Sequence, residues 1–199
     1  MKSMKLMALA TALTGATVAS NAQIVDFEDL LNNGTSGVTF YGDNVDSGGY
    51  NFASLLHAGD EIAIASWTAD DPFGYYTGST AIFANYYDDG LMMTEIGGGP
   101  FDVLAIDMAD VFLSGTGDLV TFTGIHSDLG VTVNVIPLTD GSTLETYALT
   151  GMTDLISLEI IDGVNNDVQI DNLNTVPEPA AVTGLAVGLV ALAFRRRRR

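Results

Sequence analysis

Twenty-four carboxylates lie between Gln23 and Val176, and no lysine or arginine lies among them. Hard oxygen donors without a competing ammonium or guanidinium suit Ca2+, which takes about six to eight oxygens at about 2.3–2.6 Å. Asp26 and Glu28 are two residues apart, so an extended opening strand places both on one face. Asp171 and Asn172 stand in the closing strand of the same body. If the two ends meet, these four residues form a structural calcium site; if they do not, the carboxylates are solvated strand ends. Asp43, Asn44 and Asp46 make a second oxygen-rich turn, but without the bidentate Glu and glycine spacing of an EF-hand it reads as an Asx turn.

The aromatic residues are the other chemical resource. Trp67, Phe73, Tyr75, Tyr76, Tyr86 and Tyr87 fall within a short stretch. Alternation buries about half of them and leaves Trp67, Tyr75, Tyr76 and Tyr87 as a patch for stacking sugar rings, with Asp70 and Asp71 to accept hydroxyl hydrogen bonds. The competing reading is that these rings are core. Nucleophilic catalysis finds no support: His57 and His126 share no spacing with a second His or Cys, and Ser66, Ser79 and Ser114 lack a Gly-x-Ser-x-Gly frame. Gly97-Gly98-Gly99 precedes a proline and a strand, so it is no phosphate cradle. Glycosidase chemistry needs two carboxylates about 5–9 Å apart across strands, which spacing along the chain does not reveal.

All seven basic residues of the 199 sit at the termini, and the net charge is −18. A body so negative repels nucleic acid and anionic lipid and offers no cation to a phosphate substrate. Lys2 and Lys5, the apolar run from Leu6 to Ala19 and the small residues Ser20-Asn21-Ala22 predict a signal peptide over 1–22, cleaved after Ala22. Absence of cysteine in an exported chain points to stabilisation by the core and by metal ions rather than by disulfides.

At the other end, Pro177-Glu178-Pro179 breaks regular structure, Ala180 to Phe194 is uncharged, and Arg195, Arg196, Arg197, Arg198 and Arg199 close the chain. As a helix the apolar run spans about 22 Å, short of a roughly 30 Å hydrocarbon core, so it anchors only with bilayer thinning and snorkelling arginines on the cytoplasmic side. The tripeptide, the short apolar helix and the arginine cluster, in that order, resemble the PEP-CTERM sorting signal over 176–199. The resemblance implies an exosortase partner, a transient inner-membrane anchor, a Gram-negative-type envelope, delivery to the cell surface or the extracellular space, and association with exopolysaccharide.

Between these ends the sequence alternates in short runs rich in Val, Ile, Thr, Phe and Tyr, bounded by Gly, Asn and Asp. Twelve strands are predicted, at Ile24–Glu28, Val38–Tyr41, Tyr50–Leu55, Glu61–Trp67, Thr80–Tyr86, Leu91–Ile96, Phe101–Met108, Leu119–Ile125, Val131–Ile136, Leu144–Leu149, Leu155–Ile161 and Val168–Leu173. The 119–136 segment reads as a hairpin turning at Ser127–Gly130. No repeat of about 40 residues supports a propeller, so 23–175 is predicted to be one all-β sandwich of jelly-roll type. Asp26-Phe27-Glu28-Asp29-Leu30, Gly49-Tyr50-Asn51-Phe52, Gly98–Asp107 and Gln169-Ile170-Asp171-Asn172-Leu173 are similar to pieces of a recurrent PEP-CTERM body and of carbohydrate-binding jelly rolls. That likeness implies neighbouring first and last strands and a shared structural calcium.

Together these features describe an exported, non-catalytic surface or matrix protein associated with exopolysaccharide. A polysaccharide-active hydrolase and a purely structural surface protein are the alternatives.

Overall fold

Period-two burial organises nearly every segment of the body. In Tyr50–Ser54 the first, third and fifth residues are buried, and in Leu119–His126 Val120, Phe122 and Gly124 point inward. The protein is seen here as a computed structural model that describes residues 21–30, 37–86, 89–112, 119–138, 143–162 and 168–177. The predicted signal peptide, save its last two residues, lies outside the described residues. So do Tyr87, Glu178, Pro179, the apolar C-terminal segment and Arg195 to Arg199. The described residues belong to one unit, Ser20–Ala180, and among them there is no helix.

Thirteen strands run in order: β1 (Gln23–Val25), β2 (Val38–Gly42), β3 (Asn44–Ser47), β4 (Tyr50–Ser54), β5 (Ile64–Trp67), β6 (Ile82–Ala84), β7 (Leu91–Glu95), β8 (Phe101–Asp110), β9 (Leu119–His126), β10 (Val131–Pro137), β11 (Glu145–Ala148), β12 (Leu155–Asp162) and β13 (Val168–Pro177). All pairings are antiparallel. One layer has the order β2-β5-β6-β13-β8-β11, with β1 alongside the later part of β13. The other has the order β10-β9-β12-β7-β4-β3. A single bridge, Leu155 to Phe101, joins the layers. Both contribute to one core, with Phe27, Phe52 and Tyr50 meeting Phe101, Phe122, Ile170 and Leu173. The ring pairs Phe27–Phe52 and Tyr50–Phe101 are edge-on at 5.0 and 5.3 Å. Each such buried side chain contributes about 2–3 kcal/mol of apolar burial. This is the all-β sandwich expected from the alternation, and its first and last strands are neighbours.

Two features position the sites described below. The loop from Thr68 to Thr80 bonds to the outer side of β13: Gln169 Nε2 donates to Tyr75 O at 3.3 Å and to Asp110 O at 3.0 Å, while Asp171 bonds to Ser79. Polar residues on that side of a strand are thereby buried. Then β13 bulges. Asp171 pairs with Asp107 but Asn174 pairs with Ala105, and the extra residue is accommodated by Asn172 in the left-handed region at φ 47°. A bulge re-aims side chains, and here it directs Asn172 towards Asp107.

Candidate functional site

The Thr68–Thr80 loop takes its shape from its own carboxylates. Asp71 accepts the backbone N–H groups of Phe73, at 3.0 Å, and of Tyr75, and Asp70 accepts the Thr68 hydroxyl. Opposite it, Gly37 has φ +91°, and a Cβ there would come within 2.8 Å of Pro72 Cδ. The loop therefore sits against a position that only glycine fills without strain.

The rings that this loop carries meet rings from β5, β6 and the end of β8. Trp67 stacks on buried Phe83 at 5.6 Å and donates its indole N–H to Val111 O at 2.9 Å, which fixes the plane of the ring. Tyr75 lies 5.1 Å from Trp67, 5.7 Å from Phe73 and 5.5 Å from Phe112. Phe73 is 69% exposed and Phe112 is 40% exposed, with Trp67 and Tyr75 half-buried. Four contiguous aromatic side chains therefore form a surface patch with one buried ring beneath it.

Two of the four residues predicted for this patch, Trp67 and Tyr75, belong to it. Tyr76 does not: its hydroxyl is held above the ordinary tyrosine range by burial and then by the charges of Glu28 and Asp171, which places it among the carboxylates instead. Neighbours in an extended loop point in opposite directions. Tyr87 lies outside the described residues. Phe73, assigned to the buried half by alternation, is the most exposed ring of the patch, because it rides on a loop and not on a strand. Phe112 is a fourth member that the sequence pattern does not predict. It follows β8 by two residues, and its N–H bonds to Asp110 Oδ1 at 2.7 Å in a turn that no alternation pattern reveals.

The predicted metal ligands divide similarly. β1 ends at Val25, and Phe27 turns into the core with φ 54°. Asp26 and Glu28 are therefore not on one face of a strand. Asp26 is exposed and, among the described residues, accepts the Glu28 N–H at 3.3 Å. Glu28 Oε1 instead accepts the Thr80 N–H at 2.7 Å, and its charge is felt by Asp171.

Asp171 is fully buried. Its carboxylate accepts the Ser79 hydroxyl at 2.5 Å and the Asn172 N–H at 2.7 Å. Asn172 Nδ2 also donates to Asp107 Oδ2 at 2.9 Å, and Asp107 accepts the Thr146 hydroxyl at 2.5 Å. Desolvation, reinforced by the charges of Asp107 and Glu28, raises the Asp171 pKa to about 6 against the lowering effect of its two hydrogen bonds. The structure thus brings together Glu28, Asp171 and Asn172, adds Asp107, and leaves out Asp26. Among the described residues no three His, Cys, Asp or Glu side chains converge as metal ligands.

The second oxygen-rich segment is not a bare loop. Asn44 to Ser47 form β3, and Asp43 Oδ2 accepts the Gly59 N–H at 2.6 Å. Both histidines have structural partners. His57 stacks on Tyr86 at 3.9 Å, and His126 bonds to Thr153 O and the Thr132 hydroxyl.

No curated protein matches the chain in sequence. Among solved structures, a DUF4465 family protein from Bacteroides ovatus ATCC 8483 is similar with a TM-score of 0.47 at 12% identity, over 79% of this chain and 98% of that one. A variant of CBM29-2, a family 29 carbohydrate-binding module, is similar with a TM-score of 0.44 at 11% identity, over 84% of this chain and 97% of that one. Residues 175–199 match the model of the PEP-CTERM protein-sorting motif. The chain therefore carries a PEP-CTERM protein-sorting motif at residues 175–199 behind an all-β body.

Proposed function

We propose that this exported protein is a non-catalytic surface component that holds polysaccharide on the patch formed by Trp67, Phe73, Tyr75 and Phe112. The observation that supports this reading is the patch itself: contiguous rings held at the surface by a loop whose backbone Asp71 fixes. Sugar rings present flat C–H faces that stack on aromatic side chains, while their hydroxyls seek acceptors at the rim. Exposed Asp70 stands three residues past Trp67, the last residue of β5, to supply one. Preformed rings on a pinned loop lose little conformational freedom when they bind.

Calcium enters the proposal as a bridging ion. An acidic glycan is repelled by a body with 24 carboxylates and no internal lysine or arginine. Ca2+ shares its oxygen shell readily between protein carboxylates, glycan carboxylates and water. The bridge needs no closed protein cage.

The test is retention of neutral and acidic polysaccharides by the full-length chain in mild detergent, with chelator or with Ca2+ at constant ionic strength. At least one polysaccharide is expected to be retained, with affinity falling about tenfold or more, or 1.4 kcal/mol, in Tyr75→Ala and Phe112→Ala. Leu129→Ala, on the β9–β10 turn, is expected to bind as the parent does. Retention of nothing, retention unchanged by both aromatic substitutions, or release of shortened glycan would each overturn the reading.

A further inference from the structure

Sheet edges expose unpaired backbone N–H and C=O groups, and soluble proteins blunt them with charge, brevity or irregularity. Three edges of this fold are blunted. β2 has five residues with a register break between Phe40 and Gly42, β3 has four residues and carries Asp46, and β11 has four residues and opens on Glu145. β10 is different. Its seven residues pair with β9 in unbroken register, and among the described residues β9 is its only partner strand. The run from Leu129 to Leu138 carries no charge, in a body that holds 24 carboxylates.

The hydrogen-bond phase of this edge follows from the turn. His126 N–H donates to Gly130 O at 2.9 Å. Bonded pairs in an antiparallel ladder recur every second residue, so Thr132, Asn134 and Ile136 bond to β9. Val131, Val133 and Val135 then direct their N–H and C=O groups to the open side. Their side chains lie together on the solvent face, with Val133 55% exposed.

We propose that β10 is a self-association edge, which pairs antiparallel with β10 of a second copy of this chain about a twofold axis at Val133. That register sets Val131 opposite Val135 of the other copy and Val133 opposite itself. Roughly six N–H···O=C bonds form, and the valines join in one ladder across the axis. Pro137, which has no N–H, falls beyond the last pair. A copy of β10 is the fitting occupant because β3 and β11 carry carboxylates and β2 breaks register between Phe40 and Gly42, whereas this strand is uncharged, alternating, regular and self-complementary. Like charge on the two bodies opposes the pairing at long range. Association therefore strengthens as the Debye length falls from about 30 Å at 0.01 M salt to about 10 Å at 0.1 M.

The experiment is sedimentation of the full-length chain in mild detergent over a range of concentrations at both salt levels, with two variants. Val133→Pro deletes one edge donor per copy and leaves the bonds to β9 in place, because proline is tolerated where the N–H faces solvent. Val133→Lys places charge on the axis. A salt-strengthened monomer–dimer equilibrium is expected, and each variant is expected to weaken it about tenfold or more. The chain has no cysteine, so Val133→Cys is expected to cross-link to its mate through a short bismaleimide while Asp46→Cys does not. This second readout decides the matter should Val133→Pro fail to fold. A wild-type monomer at both salt levels would overturn the proposal. So would dimers that persist in folded Val133→Pro and Val133→Lys, equal cross-linking at both cysteine positions, or capture of a different protein in place of a second copy.

Discussion

Replacing Asp171 by Asn should make the protein more stable at pH 8 and less stable at pH 4. The buried carboxylate has a pKa near 6 in the folded protein against an ordinary 3.8, so the folded state takes up a proton that the unfolded state does not. Stability then falls as pH rises through 6, and the gain from protonation is complete below about 3.8. The shift corresponds to at most about 3 kcal/mol of destabilisation above pH 6, at 1.36 kcal/mol per unit. Asn carries no charge and avoids that cost. Its amide can face Ser79, whose hydroxyl rotates to accept, while its oxygen still meets the Asn172 N–H. The weak bond from Asn172 Nδ2, at 3.3 Å, is lost for about 1 kcal/mol. The net expectation is a gain of about 2 kcal/mol at pH 8 and a loss of about 0.5 kcal/mol at pH 4, where the unfolded carboxyl is already partly ionised. Urea unfolding of both proteins across this range at fixed ionic strength measures it, since the remaining carboxylates are common to both and cancel in the difference. A stability difference that stays constant from pH 4 to pH 8 would refute the assignment of the raised pKa to Asp171.

Other substitutions test the frame around the patch. Gly37→Ala should destabilise by about 2 kcal/mol or more through left-handed strain and the clash with Pro72, and should reduce glycan retention because the aromatic loop must shift; unfolding and retention measured together check both. Asp71→Ala should leave the Phe73 and Tyr75 N–H groups unpaired and cost about 1–3 kcal/mol, with Tyr75→Ala epistatic to it in retention. Gly90→Ala directs a Cβ to within 2.7 Å of Ile160 O, a backbone atom in β12 that cannot yield, and should cost about 1–3 kcal/mol, read as a lowered melting temperature. Phe122→Ala, from the centre of the core, should cost about 3–5 kcal/mol, measurable by urea denaturation.

How much of this was legible depended on whether a residue's environment is set by its own strand. The alternation in 119–136 locates the β9–β10 hairpin to within a residue. The opening strand is shorter than its alternation predicts, because nothing in Asp26-Phe27-Glu28 reveals that Phe27 adopts a positive φ and turns inward. β3 reads as a turn in the sequence because Asn44 to Ser47 offers little apolar patterning; it is held by pairing with β4 and by Asp29, which accepts the Ser47 hydroxyl and the Gly48 N–H. The carboxylate cluster was half visible. Glu28, Asp171 and Asn172 follow from first and last strands meeting, whereas Asp107 joins them through the bulge at Asn172, and bulges depend on pairing rather than on composition. The patch was legible as a concentration of aromatics but not as a geometry, since Phe112 reaches it from another part of the chain.

The place of β13 in the sheet has a consequence for biogenesis. This strand lies between β8 on one side and β6 and β1 on the other, and its final residue, Pro177, is the first of the Pro-Glu-Pro tripeptide. During synthesis from the N-terminus, every other strand emerges before the one that closes the layer. Until it arrives, β1 and β6 have no central partner and the inner face of β8 stays wet. Completion of the fold and emergence of the sorting signal are thus nearly the same event in time, and a chain stalled or clipped before Val168 loses its architecture and its address together.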